Sequence, residues 1–130
     1  MSCGALIRLA CYRTMGRLFT WELALKKNHT LVTGGPYSVV RHPSYTGSFM
    51  IGLGLILCQL GPGSWFRECV GLHTWGGKLF AATWAAMSLG IPVGLMSRVN
   101  VEDEILRKEF NEEWEVYARK TPYKLFPYVY

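Results

Sequence analysis

The stretch YTGSFMIGLGLILCQL at residues 45–60 lies within 25 residues that carry no formal charge, between Arg41 and Arg67. A second uncharged run, the 19 residues 79–97, follows Lys78. Because a helix needs roughly 20 mostly apolar residues to cross a hydrocarbon core about 30 Å thick, these runs predict two transmembrane helices, at residues 45–60 and 79–97. A glycine-proline-glycine sequence ends the first run, so the two helices are predicted to form a hairpin.

The composition supports a small membrane protein. The chain has 130 residues, of which 50% are hydrophobic and only 18% are charged, and its formal net charge is +5. This length allows one domain, and so few charged residues supply little of the polar surface that a soluble domain needs. The composition therefore disfavours a soluble enzyme, a disordered tail and a nucleic-acid-binding protein.

The four cysteines do not follow a metal-binding or disulfide pattern. Cys3, Cys11, Cys58 and Cys69 include no C-x-x-C pair and no zinc-site spacing. We therefore predict four free thiols and no metal site.

The segments outside the hairpin are predicted to lie on one side of the membrane. Residues 1–27 place apolar side chains at helical spacing but interrupt them with arginines, which favours an interfacial helix. Residues 28–44 contain two glycines and two prolines, which predict an ordered loop. Residues 99–119 contain seven acidic and three basic residues in a helical pattern. Lysine and arginine are concentrated near the two chain ends, so the loop and the C-terminus are predicted to be cytosolic.

These predictions define an all-α membrane protein with a single domain. It consists of an N-terminal interfacial helix, an ordered loop, a transmembrane helical hairpin and a cytosolic C-terminal helix. On composition alone, the histidine, tyrosine and arginine side chains of the loop are explained by anchoring at lipid headgroups, where aromatic and basic residues are common.

Two blocks of sequence on either side of the hairpin have a more specific explanation. The first reads HTLVTGGPYSVVRHPSYTG at residues 29–47. The second begins at Arg98 and continues through EDEIL (102–106), FNEEWEVY (110–117) and RKTP (119–122). In this order, with an uncharged hairpin between them, the blocks resemble the signature of the isoprenylcysteine carboxyl methyltransferase family. The wider group of membrane phospholipid methyltransferases shares the outline of that signature.

The resemblance implies a reaction, a cofactor and partners. The reaction is transfer of a methyl group from S-adenosylmethionine to the C-terminal carboxylate of a prenylated cysteine, left after proteolysis of a CaaX protein. An ionised carboxylate is already a nucleophile, so such a reaction rests on positioning and electrostatics rather than on a metal or a general base. The resemblance also implies a multi-pass protein of the endoplasmic reticulum membrane, whose partners are the prenylated cysteine and the lipid bilayer.

The site residues are carried over from the same resemblance. Arg41 and Glu102 are predicted to be catalytic and to orient substrate and cofactor, since the planar fork of an arginine suits a carboxylate. The cofactor-binding residues are predicted to be His29, Leu31, Val32, Gly35, Tyr37, His42, Pro43, Tyr45 and Asp103. Asp103 stands where the family usually has a glutamate, and Asn111 where it usually has a glycine. The apolar stripe of Leu106, Phe110, Trp114 and Tyr117 is interpreted as helix packing.

The sequence leaves two alternatives open. One is a membrane methyltransferase that acts on a phospholipid amine or another small lipid. The other is a non-catalytic membrane protein that retains the cofactor loop. The chain begins about 28 residues before His29, whereas family members generally carry further transmembrane helices before this loop, and this motivates the second alternative.

Overall fold

The computed structural model describes residues 2–16 and 31–129, and every regular element within them is helical. The five helices are α1 (Ser2–Met15), α2 (Pro43–Leu60), α3 (Trp75–Ser97), α4 (Val99–Phe110) and α5 (Glu112–Lys120). A 3-10 turn covers Gly35–Ser38, and a turn of π-helix covers Phe66–Val70. For the residues described, the prediction of an all-α protein is confirmed.

Helix α2 occupies the centre of the fold and packs against α1 on one side and α3 on the other. Glycines allow both close approaches. A Cβ atom on Gly4 of α1 would lie 2.6 Å from the carbonyl oxygen of Gly47 in α2, and one on Gly47 would lie 2.9 Å from the carbonyl oxygen of Gly4. Small residues at such crossings let helix backbones touch, as is common between membrane helices.

The contact between α2 and α3 depends on a proline. Pro92 lies inside α3 and has no N–H group, so the carbonyl of Ser88, four residues earlier, lacks its usual helical donor. This carbonyl faces Gly52 of α2 so closely that a Cβ there would overlap with its oxygen. Gly52 therefore lets the α2 backbone cover a carbonyl that the proline leaves without a helical partner, a place where a Cα–H group serves as a weak donor.

One helical stretch of the described residues, Trp75–Phe110, is long and apolar enough to cross a membrane, with a mean hydropathy of 1.6. Only 6% of its most apolar window is buried inside the protein, whereas the core helix of a soluble domain is mostly buried. The predicted span at residues 79–97 lies within this stretch. The predicted span at residues 45–60 lies within α2, which begins two residues earlier than expected, and its crossing of the bilayer remains a prediction.

The acidic C-terminal segment differs from its prediction as a single helix over residues 99–119. Helix α4 ends at Phe110 and α5 begins at Glu112, because Asn111 between them has a φ of 42° and a ψ of −109°. A positive φ breaks the helical path, and asparagine tolerates it better than most residues other than glycine. The prediction was wrong here because the apolar stripe continues through the break.

The chain after α5 returns to the beginning of α2. The N–H group of Arg41 donates to the carbonyl of Tyr123 at 3.0 Å, and that of His42 donates to the carbonyl of Lys124 at 2.8 Å. These bonds hold the C-terminal tail along the end of the loop. As predicted, the four cysteines are free thiols.

Replacement of Gly52 by alanine tests the contact between α2 and α3. Gly52→Ala should lower the free energy of unfolding in detergent by about 1–3 kcal/mol, because the new methyl group overlaps with the Ser88 carbonyl. Gly90→Ala is the matched control, since nothing lies within 4 Å of a Cβ at this position of α3. The control should be neutral or slightly stabilising. Equal stability of both variants in denaturant titrations would show that this close approach does not exist.

Replacement of Asn111 tests the break between α4 and α5. Asn111→Gly should stabilise the protein by about 1 kcal/mol or less, because glycine adopts a positive φ without strain. Asn111→Ala should destabilise it, since alanine resists this backbone conformation. Thermal unfolding in detergent measures both. If alanine stabilises the protein more than glycine does, the segment is a continuous helix instead.

Candidate functional site

The loop that precedes α2 is held between α1 and α5. Its 3-10 turn begins at Gly35, whose φ of +60° suits glycine, and the Tyr37 side chain in this turn is buried. The Tyr37 hydroxyl is hydrogen-bonded to the Cys11 thiol of α1, while the Tyr117 hydroxyl of α5 donates to the Tyr37 carbonyl at 2.8 Å. Burial raises the pKa of Tyr37, and it raises that of Tyr117 to about 12, so both hydroxyls stay protonated.

Proline chemistry places His42 at the entry to α2. Pro43 occupies the first turn of the helix, where its fixed φ fits and its missing N–H is not needed. A residue before proline is pushed out of the helical region, and His42 accordingly has a φ of −124° and a ψ of 59°. Its side chain is therefore directed away from the helix axis and is buried against α4.

Two consecutive carboxylates of α4, those of Glu102 and Asp103, lie next to different nitrogens of the His42 ring. Asp103 Oδ1 lies 2.8 Å from His42 Nε2, and Asp103 Oδ2 accepts a bond of the same length from Arg41 Nη1. Glu102 Oε2 lies 3.5 Å from His42 Nδ1, and Glu102 Oε1 accepts a hydrogen bond from the Tyr45 hydroxyl. We call Arg41, His42, Tyr45, Glu102 and Asp103 the charge cluster.

The charge cluster keeps His42 protonated more readily than usual. Burial by itself lowers the pKa of His42. The hydrogen bonds and charges of Asp103 and Glu102 together raise this pKa by a larger amount, so the net result is a raised pKa. Buried carboxylates must be paired to be tolerated, and Asp103 is paired with both Arg41 and His42. The cluster is thus an ordered electrostatic unit rather than a solvated surface.

Glu102 is the carboxylate that a ligand reaches most easily. Its side chain is 17% exposed, compared with 10% for Asp103 and 8% for His42. The rings of Tyr45 and His42 stack beside it, with centroids 5.7 Å apart and planes inclined by 9°. A carboxylate next to an aromatic face suits a positively charged ligand.

The Arg41 guanidinium is largely used by the protein. Besides Asp103, it donates through Nη2 to the Pro122 carbonyl at 2.9 Å, and it lies over the Trp114 ring at 5.6 Å. Among the described residues, neither Arg41 Nε nor Trp114 Nε1 has a hydrogen-bond partner, although both atoms are buried. The same holds for Trp84 Nε1 in α3, so these buried donors do not by themselves mark the site.

The structure brings five of the predicted site residues together, as the charge cluster, and places the others along the loop. Leu31 and Val32 are half-buried before the turn, Gly35 and Tyr37 form it, and Pro43 begins α2. His29 lies outside the described residues. The roles assigned to all of these residues remain predictions.

Three contributors to the site were missed by the sequence analysis. Trp114 was assigned to packing, and the Pro122 carbonyl was not considered. Arg98 was quoted only as part of a motif, yet its positive charge acts on the Tyr45 hydroxyl. The spacing of four residues between Arg98 and Glu102 puts them on one helix face and could have indicated this role.

The chain is similar in sequence to known methyltransferases. The model of the isoprenylcysteine carboxyl methyltransferase (ICMT) family matches residues 1–70. The protein-S-isoprenylcysteine O-methyltransferase of Schizosaccharomyces pombe is 30% identical over 92% of this chain and 43% of its own length. No solved structure matches the chain.

Relatives with other names share the same region. The cobalt-zinc-cadmium resistance protein CzcN of Cupriavidus metallidurans is 32% identical over 84% of this chain and 42% of its own length. The Delta(14)-sterol reductase ERG24 of Saccharomyces cerevisiae is 30% identical over 84% of this chain and 21% of its own length. The chain therefore spans less than half of each of these relatives. With its family-model match and its methyltransferase relatives, it belongs to the isoprenylcysteine carboxyl methyltransferase family of membrane methyltransferases.

Proposed function

We propose that this chain forms the cofactor-binding part of a protein-S-isoprenylcysteine O-methyltransferase. The proposal rests on one observation, which is that the two motif blocks meet in the charge cluster although the hairpin separates them in sequence. Asp103 of the second block binds both Arg41 and His42 of the first. If each block served only to anchor the chain at the membrane surface, a buried carboxylate shared between them would not be expected.

The carboxylate and the aromatic rings of the site suit S-adenosylmethionine. When bound, this cofactor supplies an electrophilic methyl group on a positively charged sulfur, which a prenylcysteine carboxylate accepts without a metal or a general base. Glu102, the accessible carboxylate, is proposed to attract the cationic part of the cofactor. The rings of His42 and Tyr45 provide a flat aromatic surface beside it, and the loop residues Leu31–Tyr37 are proposed to surround the rest of the molecule.

Arg41 is proposed to act on the other reactant. Its Nη atoms hold Asp103 and the Pro122 carbonyl, and its guanidinium lies over the Trp114 ring. We propose that the positive charge of this anchored side chain orients the substrate carboxylate, which suits the planar guanidinium of an arginine.

The proposed substrate determines where the protein works. A prenylated C-terminal cysteine of a processed CaaX protein is proposed to enter from the lipid bilayer, and the family resemblance implies the endoplasmic reticulum. We therefore propose a multi-pass protein of that membrane with the loop and the C-terminus in the cytosol. The exposed apolar side chains of α3, among them Leu79, Met87 and Ile91, are suited to lipid contact.

A second candidate is methylation of a phospholipid amine or another lipid. This second candidate is supported by the similarity to a metal-resistance protein and a sterol reductase, because the same region occurs in proteins whose names differ from that of the methyltransferase. Glu102 and the rings of His42 and Tyr45 would serve either acceptor, since they are proposed to bind the cofactor.

Methyl transfer to an isoprenylcysteine analogue tests the proposal. Membranes that contain the chain should transfer tritium from labelled S-adenosylmethionine to N-acetyl-farnesylcysteine, and mild base should release the label because the product is an ester. A base-stable labelled lipid would favour the second candidate. Cofactor binding without any labelled product would assign the chain a non-catalytic role.

Replacement of Glu102 tests the proposed cofactor contact. Glu102→Gln keeps an oxygen for the Tyr45 hydroxyl but removes the charge, so the Kd for S-adenosylmethionine should rise about 10- to 100-fold, the effect expected for loss of a charge-assisted contact. Isothermal calorimetry of the detergent-solubilised chain measures it. Glu109→Gln is the control, since Glu109 is exposed on the same helix. An equal Kd for both variants would exclude Glu102 from the site.

A further inference from the structure

One charge of the site has no role in the proposed reaction, and it belongs to the imidazole of His42. The ring is buried, and each of its nitrogens faces a carboxylate oxygen: Nε2 is 2.8 Å from Asp103 and Nδ1 is 3.5 Å from Glu102. A protonated ring donates to both carboxylates, whereas a neutral ring can donate to only one of them. The ring therefore connects the deeply buried carboxylate with the accessible one.

The charges of the cluster make this proton important. Arg41 and Asp103 compensate each other through a direct ion pair of 2.8 Å. The remaining charges are that of Glu102 and, when its ring is protonated, that of His42. With the proton these two are balanced, and without it Glu102 carries a negative charge that its neighbours on the ring side no longer compensate.

We propose that the protonation state of His42 sets how strongly the site prefers a positively charged sulfonium ligand to a neutral thioether. The inference rests on the proposed function, because S-adenosylmethionine and its demethylated product S-adenosylhomocysteine differ in this charge. His42 is thus a specificity-determining residue. When His42 is neutral, the site binds the methyl donor more tightly than the product. When His42 is protonated, the difference between the two affinities is smaller.

The charged groups around His42 come from several elements. Arg41 faces it from the loop side, Arg98 acts on the neighbouring Tyr45, and Lys124 of the tail binds Asn100 Oδ1 at 2.7 Å. Histidine is the side chain of the charge cluster whose ordinary pKa lies near neutral pH. His42 is consequently the member of the cluster on which the proposal depends.

The direction of the pH effect follows from the surroundings of the ring. Burial lowers the pKa of His42, but its bonds to Asp103 and Glu102 raise it above the ordinary 6.5. The proton is therefore fully present below pH 6.5 and is lost as the pH rises through this higher value. The preference for the sulfonium should grow over the same interval, and binding of the sulfonium near its midpoint should release a proton.

Calorimetric titrations of the full chain in detergent test this inference. The ratio of the Kd for S-adenosylhomocysteine to the Kd for S-adenosylmethionine should rise about tenfold as the pH increases from 6.5 through the raised pKa of His42, which is the effect of one unit charge acting over several ångströms in a protein. Buffers with different ionisation enthalpies should reveal proton release for S-adenosylmethionine and none for S-adenosylhomocysteine.

Variants assign the effect to His42. His42→Asn should make the ratio independent of pH, whereas His73→Asn, at an exposed position of the loop before α3, should leave the profile of the unmodified chain unchanged. Asp103→Asn provides a second test that does not depend on the folding of the first variant. It removes a group that raises the pKa of His42, so the midpoint of the profile should move to lower pH.

Each result supports or overturns the inference. A ratio that does not change with pH, or the same profile in His42→Asn, would overturn it and leave the proposed function standing. If neither ligand binds at any pH, the proposed function fails and the inference fails with it.

Discussion

A buried carboxylate, that of Asp103, connects the three parts of the chain that form the site. It accepts one bond from Arg41 and one from His42, each of 2.8 Å, and Arg41 in turn holds the Pro122 carbonyl of the tail. Burial of an unpaired carboxylate costs several kcal/mol, so the loop, α4 and the tail must stay together for Asp103 to be tolerated. The site is thus held by charge pairing in addition to the packing of buried side chains such as Trp114 and Tyr117.

The helices supply a platform on which this pairing is possible. Gly47 and Gly52 bring α2 into close contact with α1 and α3. Because α2 begins at Pro43, its position also determines where the preceding His42 lies. α3 then leads into α4, so that the acidic first turn arrives at the loop. The apolar surface of α3 can remain exposed, because a helix that faces lipid does not need to be covered by protein.

The sequence predicted the helical regions well because uncharged runs and prolines act locally. The pairing of Arg41 and His42 with Glu102 and Asp103 was anticipated only through a family resemblance, since no local rule connects residues about 60 positions apart. The break at Asn111 was missed because the apolar stripe continues through it, although an asparagine where the family usually has glycine is consistent with a positive φ. The contacts of Trp114 with Arg41, and of Pro122 with the same side chain, depend on how the tail folds back, which periodicity does not reveal.

Both motif blocks are proposed to form one binding site for S-adenosylmethionine. Nuclear magnetic resonance of the isotopically labelled chain in detergent tests this most directly, by following the signals of His42 and Tyr45 together with those of Glu102 and Asp103 as the cofactor is added. If the blocks form one site, signals from both shift along one saturation curve with a single Kd. Shifts confined to one block, or no saturable shifts in either, would contradict it.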